Sequence, residues 1–430
     1  MSFVCLQQLG RESALAYRLR CSQLATLLPI NCAALSFLWQ TATPRSQPLW
    51  RGEKYKHDRI RVAYLSRDFR EHPVSFLMAG MFECHDSSRF ETTAISWGHD
   101  DDSAIRKRIK KSFERFIDVE KEDQGKIAQL LRELEIDIAV DLMGFTEESR
   151  THVMAARPAP IQVNYLGYVG TTGTQYIDYI IADRVLIPRD QDEFYSEKIV
   201  CLPNSFQVND RDRRIGDKVF ARRDAGLPQD AFVFCCFNNV YKITPDVFDS
   251  WMRILRRVDR SVLWLVAGNS IVERNLRNEA AGRAVDPERL IFAQRLPLAE
   301  HQARLRMADL FLDTLPYNAG TTAADALWAG LPVLTRIGTA LAGRMAASVL
   351  TAIGLPELIA STPEAYEMIA VDLATHPEKN AAIKRKLADR RLTAPLFDTE
   401  LFTRHIEAAY IAMYDRYQAG LAPAHIAIPN

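Results

Sequence analysis

The 430-residue sequence has no long hydrophobic run, because no stretch reaches the roughly 18 apolar residues that a membrane span needs. Its N-terminus also lacks the basic, apolar and small-residue order of a signal peptide, since Arg11, Glu12, Arg18 and Arg20 interrupt it. Neither sign of charge is in excess. The 54 Lys and Arg balance the 54 Asp and Glu, which argues against bulk binding to nucleic acid or an anionic membrane. We therefore expect a cytoplasmic protein with neither nucleic-acid nor membrane partners.

Cysteine is scarce and shows no ligand spacing. The seven cysteines are an odd number without a CxxC pair, which argues against both a disulfide framework and a zinc site, so we expect buried free thiols and no metal. The adjacent carboxylates of HDDD, residues 99–102, are more typical of a solvated loop than of a metal site. The sequence also lacks a Walker lysine motif and a GxGxxG fingerprint, which weakens the case for a P-loop NTPase or a common dinucleotide-binding enzyme.

What the sequence does contain is a regular alternation of apolar runs and amphipathic helix patterns. The first half predicts strands at 60–66, 91–97, 137–145, 160–168 and 177–183, with helices at 103–116 and 125–136. The second half predicts strands at 232–238, 261–268, 289–294, 309–314 and 331–335, with helices at 245–258, 271–283, 298–307 and 340–353. Such alternation is typical of an α/β protein with parallel sheets, and near-continuous apolar strands indicate that both sheet faces are covered.

A break around residues 205–230 separates the two runs of elements. We therefore predict two doubly wound lobes, over 58–215 and 216–430, preceded by a short helical segment and linker over 1–57. Residues 397–420 form a long amphipathic helix pattern without a following strand, and we predict that this helix packs across the lobes. Ligands of such sheets bind beyond the carboxyl ends of the strands, so the cleft between the lobes is the predicted site.

The second predicted lobe contains an unusual junction between a strand and a helix, "LFLDTLPYNAGTTAADALW". Gly320, Thr321 and Thr322 come where the helix begins, and a helix N-terminus presents unpaired N–H groups that favour a phosphate. Ordinary capping by Thr321 is the alternative. Asp325 follows in the same helix, either to accept from a ribose hydroxyl or to complement the positive helix end.

Further polar residues follow other predicted strands of this lobe. "FNNVYK" offers Asn239 and Lys242, and a lysine there can neutralise a phosphate, although it can equally be a solvated residue before a helix. His301 stands early in a helix, where a lone histidine is more often structural or exposed than functional.

In the first predicted lobe, His72 precedes a proline at a loop-to-helix junction. It is the best-placed titratable group there for general base catalysis near neutral pH. The loop "LGYVGTTGT" after another strand contains Gly167, Gly170 and Thr171, and its glycines either let a sugar approach closely or only make tight turns.

Taken together, these motifs resemble the catalytic region of the O-GlcNAc transferases, which include the SPINDLY-type proteins and many bacterial homologues. The resemblance covers residues 50 to 420 in order and rests on "RIRVAYLSRDFREHPVSFLM", "RPAPIQVNYLGYVGT", "DYIIADRVLIP", "YSEKIVCLPNSFQVND", "CCFNNVYKITPDVFDSWMRILRRV", "DLFLDTLPYNAGTT" and "DALWAGLPVLT". It implies a GT-B fold of two Rossmann-like lobes. It also implies inverting transfer of N-acetylglucosamine from UDP-GlcNAc to Ser or Thr hydroxyls of protein acceptors, with no required metal or other cofactor.

The resemblance also implies roles for individual residues. Lys242 matches a lysine that meets the diphosphate and stabilises the leaving UDP, and Thr321 and Thr322 match diphosphate-binding threonines. Asp325 matches an acidic residue at the nucleotide site, and His301 matches a histidine near the uracil. Asn239 occupies a neighbouring polar position, and His72 matches a histidine that faces the sugar and the acceptor.

The sequence departs from the family pattern at several positions. Gly320 stands where a histidine is usual, Val169 where a proline is usual, and Thr339 where a glutamate is usual. Only about 40 residues precede the linker, so we expect the family's tetratricopeptide repeats to be truncated or missing. Two alternatives therefore stay open: transfer of fucose from GDP-fucose, as in the SPINDLY branch, and a degenerate transferase that binds nucleotide or partners without turnover.

Overall fold

The computed structural model describes residues 48–266 and 268–430, so the predicted helical segment at the N-terminus lies outside the described residues. The described part contains two parallel β-sheets, each with helices on its faces. The prediction of an α/β protein with two doubly wound lobes is therefore confirmed. Of the four described cysteines, Cys201, Cys235 and Cys236 are buried free thiols, as expected, whereas Cys84 is a free thiol that is exposed.

The first sheet has eight parallel strands in the order β14-β7-β6-β5-β4-β1-β2-β3. Its strands are β1 Ile60–Ser66, β2 Phe90–Ser96, β3 Arg115–Asp118, β4 Ile138–Asp141, β5 Ile161–Asn164, β6 Tyr179–Asp183, β7 Lys198–Leu202 and β14 Ile426–Ala427. Successive residues of β1 point into different apolar clusters. Val62 and Tyr64 belong to one cluster, and Ala63 and Leu65 belong to the other. Both faces of the sheet are thus covered, which explains why its strands are nearly continuous apolar runs.

Three of the four crossover helices of the first lobe begin at side-chain caps. Its helices are α1 Pro73–Glu83, α2 Ala104–Ser112, α3 Gln124–Glu133 and α4 Thr151–Ala155. Ser103 accepts the N–H of Arg106 at the start of α2, and Asp123 accepts the N–H of Lys126 at the start of α3. These caps fix where each helix starts after the loop that leaves the carboxyl end of a strand.

The second sheet has six parallel strands in the order β10-β9-β8-β11-β12-β13. They are β8 Phe232–Cys236, β9 Ser261–Val266, β10 Leu290–Ala293, β11 Leu310–Leu312, β12 Val333–Arg336 and β13 Ile359–Ala360. The helices around it are α5 Pro245–Arg257, α6 Ser270–Ala281, α7 Leu298–Leu305, α8 Thr321–Trp328, α9 Met345–Ile353, α10 Pro363–Thr375 and α11 Pro377–Arg390. One continuous apolar cluster joins these elements, with Trp251 and Trp264 among its fully buried members.

The chain returns to the first lobe at its C-terminal end. The last helix, α12 Thr399–Gln418, contributes Ile406 and Tyr410 to the core of the first lobe. The strand β14 then pairs with β7, Ile426 opposite Val200. The predicted second lobe includes this segment, yet its side chains pack on the first sheet. The contact of Tyr410 with Tyr64, for example, spans 346 residues of sequence. The amphipathic pattern carries no information on which sheet the apolar face of the helix meets.

In the part of the chain that the structure describes, none of the helices combines the length and the apolar character that crossing a membrane requires.

Candidate active site

Polar side chains end the strands of the first sheet on the side that faces the cleft. The last residues of five neighbouring strands are all polar and buried: Ser66, Ser96, Asp141, Asn164 and Asp183. Asp141 accepts the N–H groups of Met143 and Gly144, and burial raises the pKa of its carboxyl group. The carboxyl edge of this sheet is therefore a buried polar layer in an otherwise apolar lobe.

Lys242 lies at the corresponding edge of the second sheet, in a one-turn 3-10 helix, Val240–Lys242, that follows β8. Its ammonium donates to the carbonyl oxygen of Asn318 at 2.9 Å and lies 3.7 Å from the ring centroid of Tyr317. Burial lowers the pKa of Lys242 to about 8, an effect that the nearby Asp313 carboxylate partly offsets. The group is thus mainly charged at neutral pH, but it lies in surroundings that penalise the charge.

Asp313 organises the loop between β11 and α8. Its buried carboxylate accepts the N–H of Ala319 at 2.8 Å, the hydroxyl of Thr335 at 2.7 Å and the amide of Asn238 at 3.1 Å. Burial nevertheless raises the pKa of Asp313 to about 6. Sequence reasoning missed this residue, although an aspartate that ends the apolar run "LFLDT" was a visible signal.

The loop delivers Gly320 to the N-cap of α8 and Thr321 and Thr322 to its first turn. Gly320 has no side chain that could cap the helix, and both threonines are partly exposed. The first N–H groups of a helix have no partner inside it, and no carboxylate occupies the first turn of α8. This end of the helix is therefore polarised positively beside Lys242, which binds the carbonyl two residues before Gly320.

Asp325 lies one turn further into α8 and is buried. Its Oδ1 accepts from a guanidinium nitrogen of Arg213 at 2.6 Å and from the amide of Gln302 at 3.2 Å. The carboxylate thus has a cation partner from the segment that connects the lobes. The predicted contact with a ribose stays a prediction, and Arg213 is a partner that local sequence patterns did not indicate.

His301 lies in α7 beside the end of β8. Its ring packs edge-on against Phe237, with ring centroids 5.2 Å apart, and Arg304 donates to its Nδ1 at 2.7 Å. Burial and the Arg304 charge lower the pKa of His301 to about 4. The ring is therefore neutral at pH 7. Because Nδ1 accepts, the proton is on Nε2, which is left as a donor.

Asn239 is the exposed N-cap of the 3-10 turn that carries Lys242, and its carbonyl oxygen accepts the N–H of Lys242 at 3.0 Å. The backbone of Asn239 thus helps to hold Lys242 in place, while its side chain faces solvent.

On the first lobe, His72 is the N-cap of α1, and Pro73 opens the helix. The N–H of Val74 points at its Nδ1 over 3.3 Å, and Asp68 Oδ2 lies 3.5 Å from the same nitrogen. Burial lowers the pKa of His72, with nearby Arg70 and Arg67 acting in the same direction and Asp68 against it. A neutral imidazole, the form that a general base requires, therefore prevails at pH 7.

The glycine-rich loop after β5 is held by a buried carboxylate. Thr171 donates to Glu197 at 2.5 Å, and the neighbouring Thr172 N–H binds the same carboxylate. At Gly167 an added Cβ would lie 1.8 Å from the carbonyl oxygen of Leu142, so no other residue fits without movement of the backbone. Gly170 is less constrained, since its nearest atom beyond its chain neighbours would be 3.3 Å away, on Tyr168.

Two of the predicted site elements lie close together in the second lobe. Lys242 binds the carbonyl oxygen of Asn318, two residues before Gly320 at the start of α8. The glycine-rich loop reaches the same region because its Val169 and Tyr317 of the second lobe pack on one apolar cluster that both lobes share. The contacts of His72, with Val74 and Asp68, all lie within the first lobe. That His72 faces a bound donor across the cleft therefore stays a prediction. Among the described residues, no group of three or more His, Cys, Asp or Glu side chains is placed to hold a metal ion.

Comparison with known proteins identifies relatives over nearly the whole chain. A family model described as glycosyl transferase family 41 matches residues 46–218 and 215–406. A probable UDP-N-acetylglucosamine--peptide N-acetylglucosaminyltransferase SEC of Arabidopsis thaliana is 37% identical over 391 residues, 90% of this chain and 40% of the relative. A SPINDLY protein of Oryza sativa subsp. japonica with the same enzyme name, also marked probable, is 32% identical over 87% of this chain and 41% of its own length.

A solved structure of similar architecture is that of a mutant O-GlcNAc transferase from Thermobaculum terrenum. It is 30% identical, has a TM-score of 0.83, and the match covers 94% of this chain and 78% of that one. The prediction of a GT-B fold is confirmed by this match and by the two parallel-sheet lobes. The chain spans about 40% of the length of the two curated plant relatives.

Proposed function

This chain belongs to glycosyl transferase family 41, and from that premise we propose that it transfers N-acetylglucosamine from UDP-GlcNAc to Ser or Thr hydroxyls of protein acceptors. The observation that carries the proposal is the convergence of the Lys242 ammonium with the uncapped start of α8. Two fixed sources of positive charge at the carboxyl end of a sheet suit a nucleoside diphosphate.

The donor is held by groups with separate tasks. The N–H groups of the first turn of α8 and the hydroxyls of Thr321 and Thr322 bind the diphosphate, and Lys242 adds a full positive charge. His301 donates its Nε2 proton to a carbonyl of the uracil, because Arg304 occupies the other ring nitrogen. Asn239, at the cap of the Lys242 turn, contacts the nucleotide at the open end of the site.

Transfer proceeds as one displacement. The acceptor hydroxyl oxygen bonds to the anomeric carbon as the bond from that carbon to the β-phosphate oxygen breaks, which inverts the configuration. The electron pair of the broken bond goes to the phosphate, where Lys242 stabilises the developing charge. The hydroxyl proton leaves to a base, for which neutral His72 is the candidate on the opposite lobe.

Gly167, Gly170 and Thr171 form the side of the cleft that faces the sugar and the acceptor. We propose that no metal ion or other cofactor is required, because Lys242 and the helix supply the charge that a cation otherwise provides. We propose that the protein acts in the cytoplasm on protein acceptors. Its formal net charge of zero supports the absence of nucleic-acid and membrane partners.

The proposal is tested by calorimetric titration of UDP, UDP-GlcNAc and GDP-fucose into the wild-type protein and Lys242→Met, followed by mass spectrometry of mixed acceptor peptides. We expect UDP and UDP-GlcNAc to bind, Lys242→Met to weaken both, and acceptors to gain one N-acetylhexosamine, also in the presence of EDTA. Selective binding of GDP-fucose with a gain of deoxyhexose would replace the sugar assignment. Binding without any transfer would identify a degenerate transferase, and absence of nucleotide binding would refute the site.

A further inference from the structure

Gln207 is a buried side chain without a complete set of hydrogen bonds. It lies on the segment that leads from β7 towards the second lobe and is only 2% exposed. Its amide nitrogen Nε2 is buried and has no hydrogen-bond partner in the part of the chain that the structure describes. A buried donor without an acceptor is costly and rare in folded proteins, so this one requires an explanation.

The amide of Gln207 lies against the start of α8. A Cβ placed on Gly320 would be 3.2 Å from Gln207 Oε1 and 3.5 Å from the sulfur of Met345. A side chain at position 320 would thus fill the space between these two residues. Glycine at the N-cap therefore leaves room for the glutamine amide next to the backbone of residue 320, where α8 begins.

We propose that Gln207 binds the donor diphosphate at the N-terminus of α8, as a residue that the connecting segment contributes to the nucleotide site. The inference rests on the proposed function of that site. Gln207 adds a side-chain hydrogen-bond donor to a helix end that otherwise offers backbone N–H groups and two threonine hydroxyls.

The terminal amide of Gln207 can point either its oxygen or its nitrogen towards the start of α8, and each orientation is favoured in a different state of the site. Without an anion, the carbonyl oxygen faces the positive end of the helix, as in the structure. Rotation of the terminal amide by 180° exchanges oxygen and nitrogen without other movement, and Nε2 then points towards the helix start. With a diphosphate bound there, Nε2 donates a charge-assisted hydrogen bond, and the atom left without a partner is an acceptor, which is tolerated better than a donor.

The test compares Gln207→Leu with wild type in two measurements. We expect Gln207→Leu to weaken UDP binding by roughly tenfold or more, because a hydrogen bond to a charged group is lost, and to leave uridine binding unchanged. Gln207→Glu should weaken UDP binding further through charge repulsion. The melting temperature of unliganded Gln207→Leu should equal or exceed that of wild type, because the variant removes a buried unpaired donor.

Gln162→Leu is the matched control. Gln162 is equally buried, but its amide nitrogen donates to the carbonyl oxygens of Met154 and Tyr176 at 2.9 and 2.6 Å. Its replacement should lower the melting temperature and leave the affinity for UDP unchanged, the reverse of the pattern expected for Gln207.

Three outcomes would overturn the inference. Unchanged UDP affinity in Gln207→Leu, when Lys242→Met is weakened, would refute the role of Gln207 and leave the proposed function intact. A fall in melting temperature as large as that of Gln162→Leu would mean that Gln207 is structural. Failure of the wild-type protein to bind UDP would instead refute the proposed function, and this inference with it.

Discussion

Raising the pH should weaken UDP binding through loss of the Lys242 charge. Burial lowers the pKa of its ammonium from 10.5 to about 8. At about 1.36 kcal/mol for each pKa unit, the unliganded cleft penalises the charged form by about 3 kcal/mol. A bound diphosphate removes that penalty because it favours the charged form, so its binding takes up a proton wherever the free protein has lost one.

The expected size of the effect follows from the fraction of charged lysine. With a pKa of about 8, nearly all Lys242 is charged at pH 7 and only about one molecule in thirty at pH 9.5. The loss of charge on Lys242 should therefore raise the dissociation constant for UDP about twofold between pH 7 and pH 8 and about thirtyfold by pH 9.5. Three neighbours do not titrate in this window: the pKa of Asp313 is about 6, that of Tyr317 about 12, and that of Cys236 is raised far above its usual range by burial.

Calorimetry between pH 7 and 9.5 measures this dependence, and the comparison of the wild-type protein with Lys242→Met at each pH removes the titration of UDP itself. Titrations in two buffers of different ionisation enthalpy at pH 8.5 should also reveal proton uptake. In Lys242→Met, which keeps an apolar stem and loses the charge, binding should be weak at every pH and should keep only the pH dependence that UDP itself contributes. A flat profile in the wild-type protein, or an equal slope in Lys242→Met, would refute the reasoning.

Three further predictions concern other parts of the site. His72→Asn should lower kcat by about 100-fold and leave the affinity for UDP unchanged, if His72 is a general base; steady-state kinetics beside calorimetry separate the two effects. Arg213→Met should destabilise the fold by about 3–5 kcal/mol in urea unfolding, because Asp325 would be left as a buried unpaired charge; adding Asp325→Asn should recover part of the loss. Gly167→Ala should destabilise by at least about 1–3 kcal/mol, because its Cβ would overlap the carbonyl oxygen of Leu142; a melting temperature equal to wild type would contradict this.

Long elements with a clear period were predicted well from the sequence. The strand at 60–66 begins and ends as predicted, and the other predicted strands differ from the structure mainly at their ends. The helix predicted at 103–116 ends at Ser112, and Arg115–Asp118 forms the edge strand β3 instead. Phe113 and Phe116 are three residues apart, a helical spacing, so the local pattern favours the longer helix. Pairing of 115–118 with β2 overrides it.

Site residues could be placed from the sequence where they lie together in one short segment. The glycine and threonines at the start of α8 are such a case, because a strand, a loop and a helix follow each other directly. The partners that decide side-chain placement are remote in sequence: Arg213 meets Asp325 across 112 residues, and Lys242 meets the carbonyl of Asn318 across 76. No local pattern in the sequence indicates such pairs. The division of the chain into domains at 58–215 and 216–430 stays a prediction.

The two lobes are joined by more than the connecting segment, and this bears on how the cleft is kept in shape. Ser348 of α9 donates to the buried carboxylate of Asp183 at the end of β6, and Arg344 donates to the carbonyl oxygen of Val185. Burial raises the pKa of Asp183, so a break of this contact would leave a costly carboxylate without one of its donors. Opening of the lobes at this edge would therefore have to separate a packed and hydrogen-bonded interface. The N–H of Phe206, the residue before Gln207, donates to the same Asp183 carboxylate at 2.7 Å. The position of Gln207 relative to Gly320 is therefore set by that interface and not by a free linker.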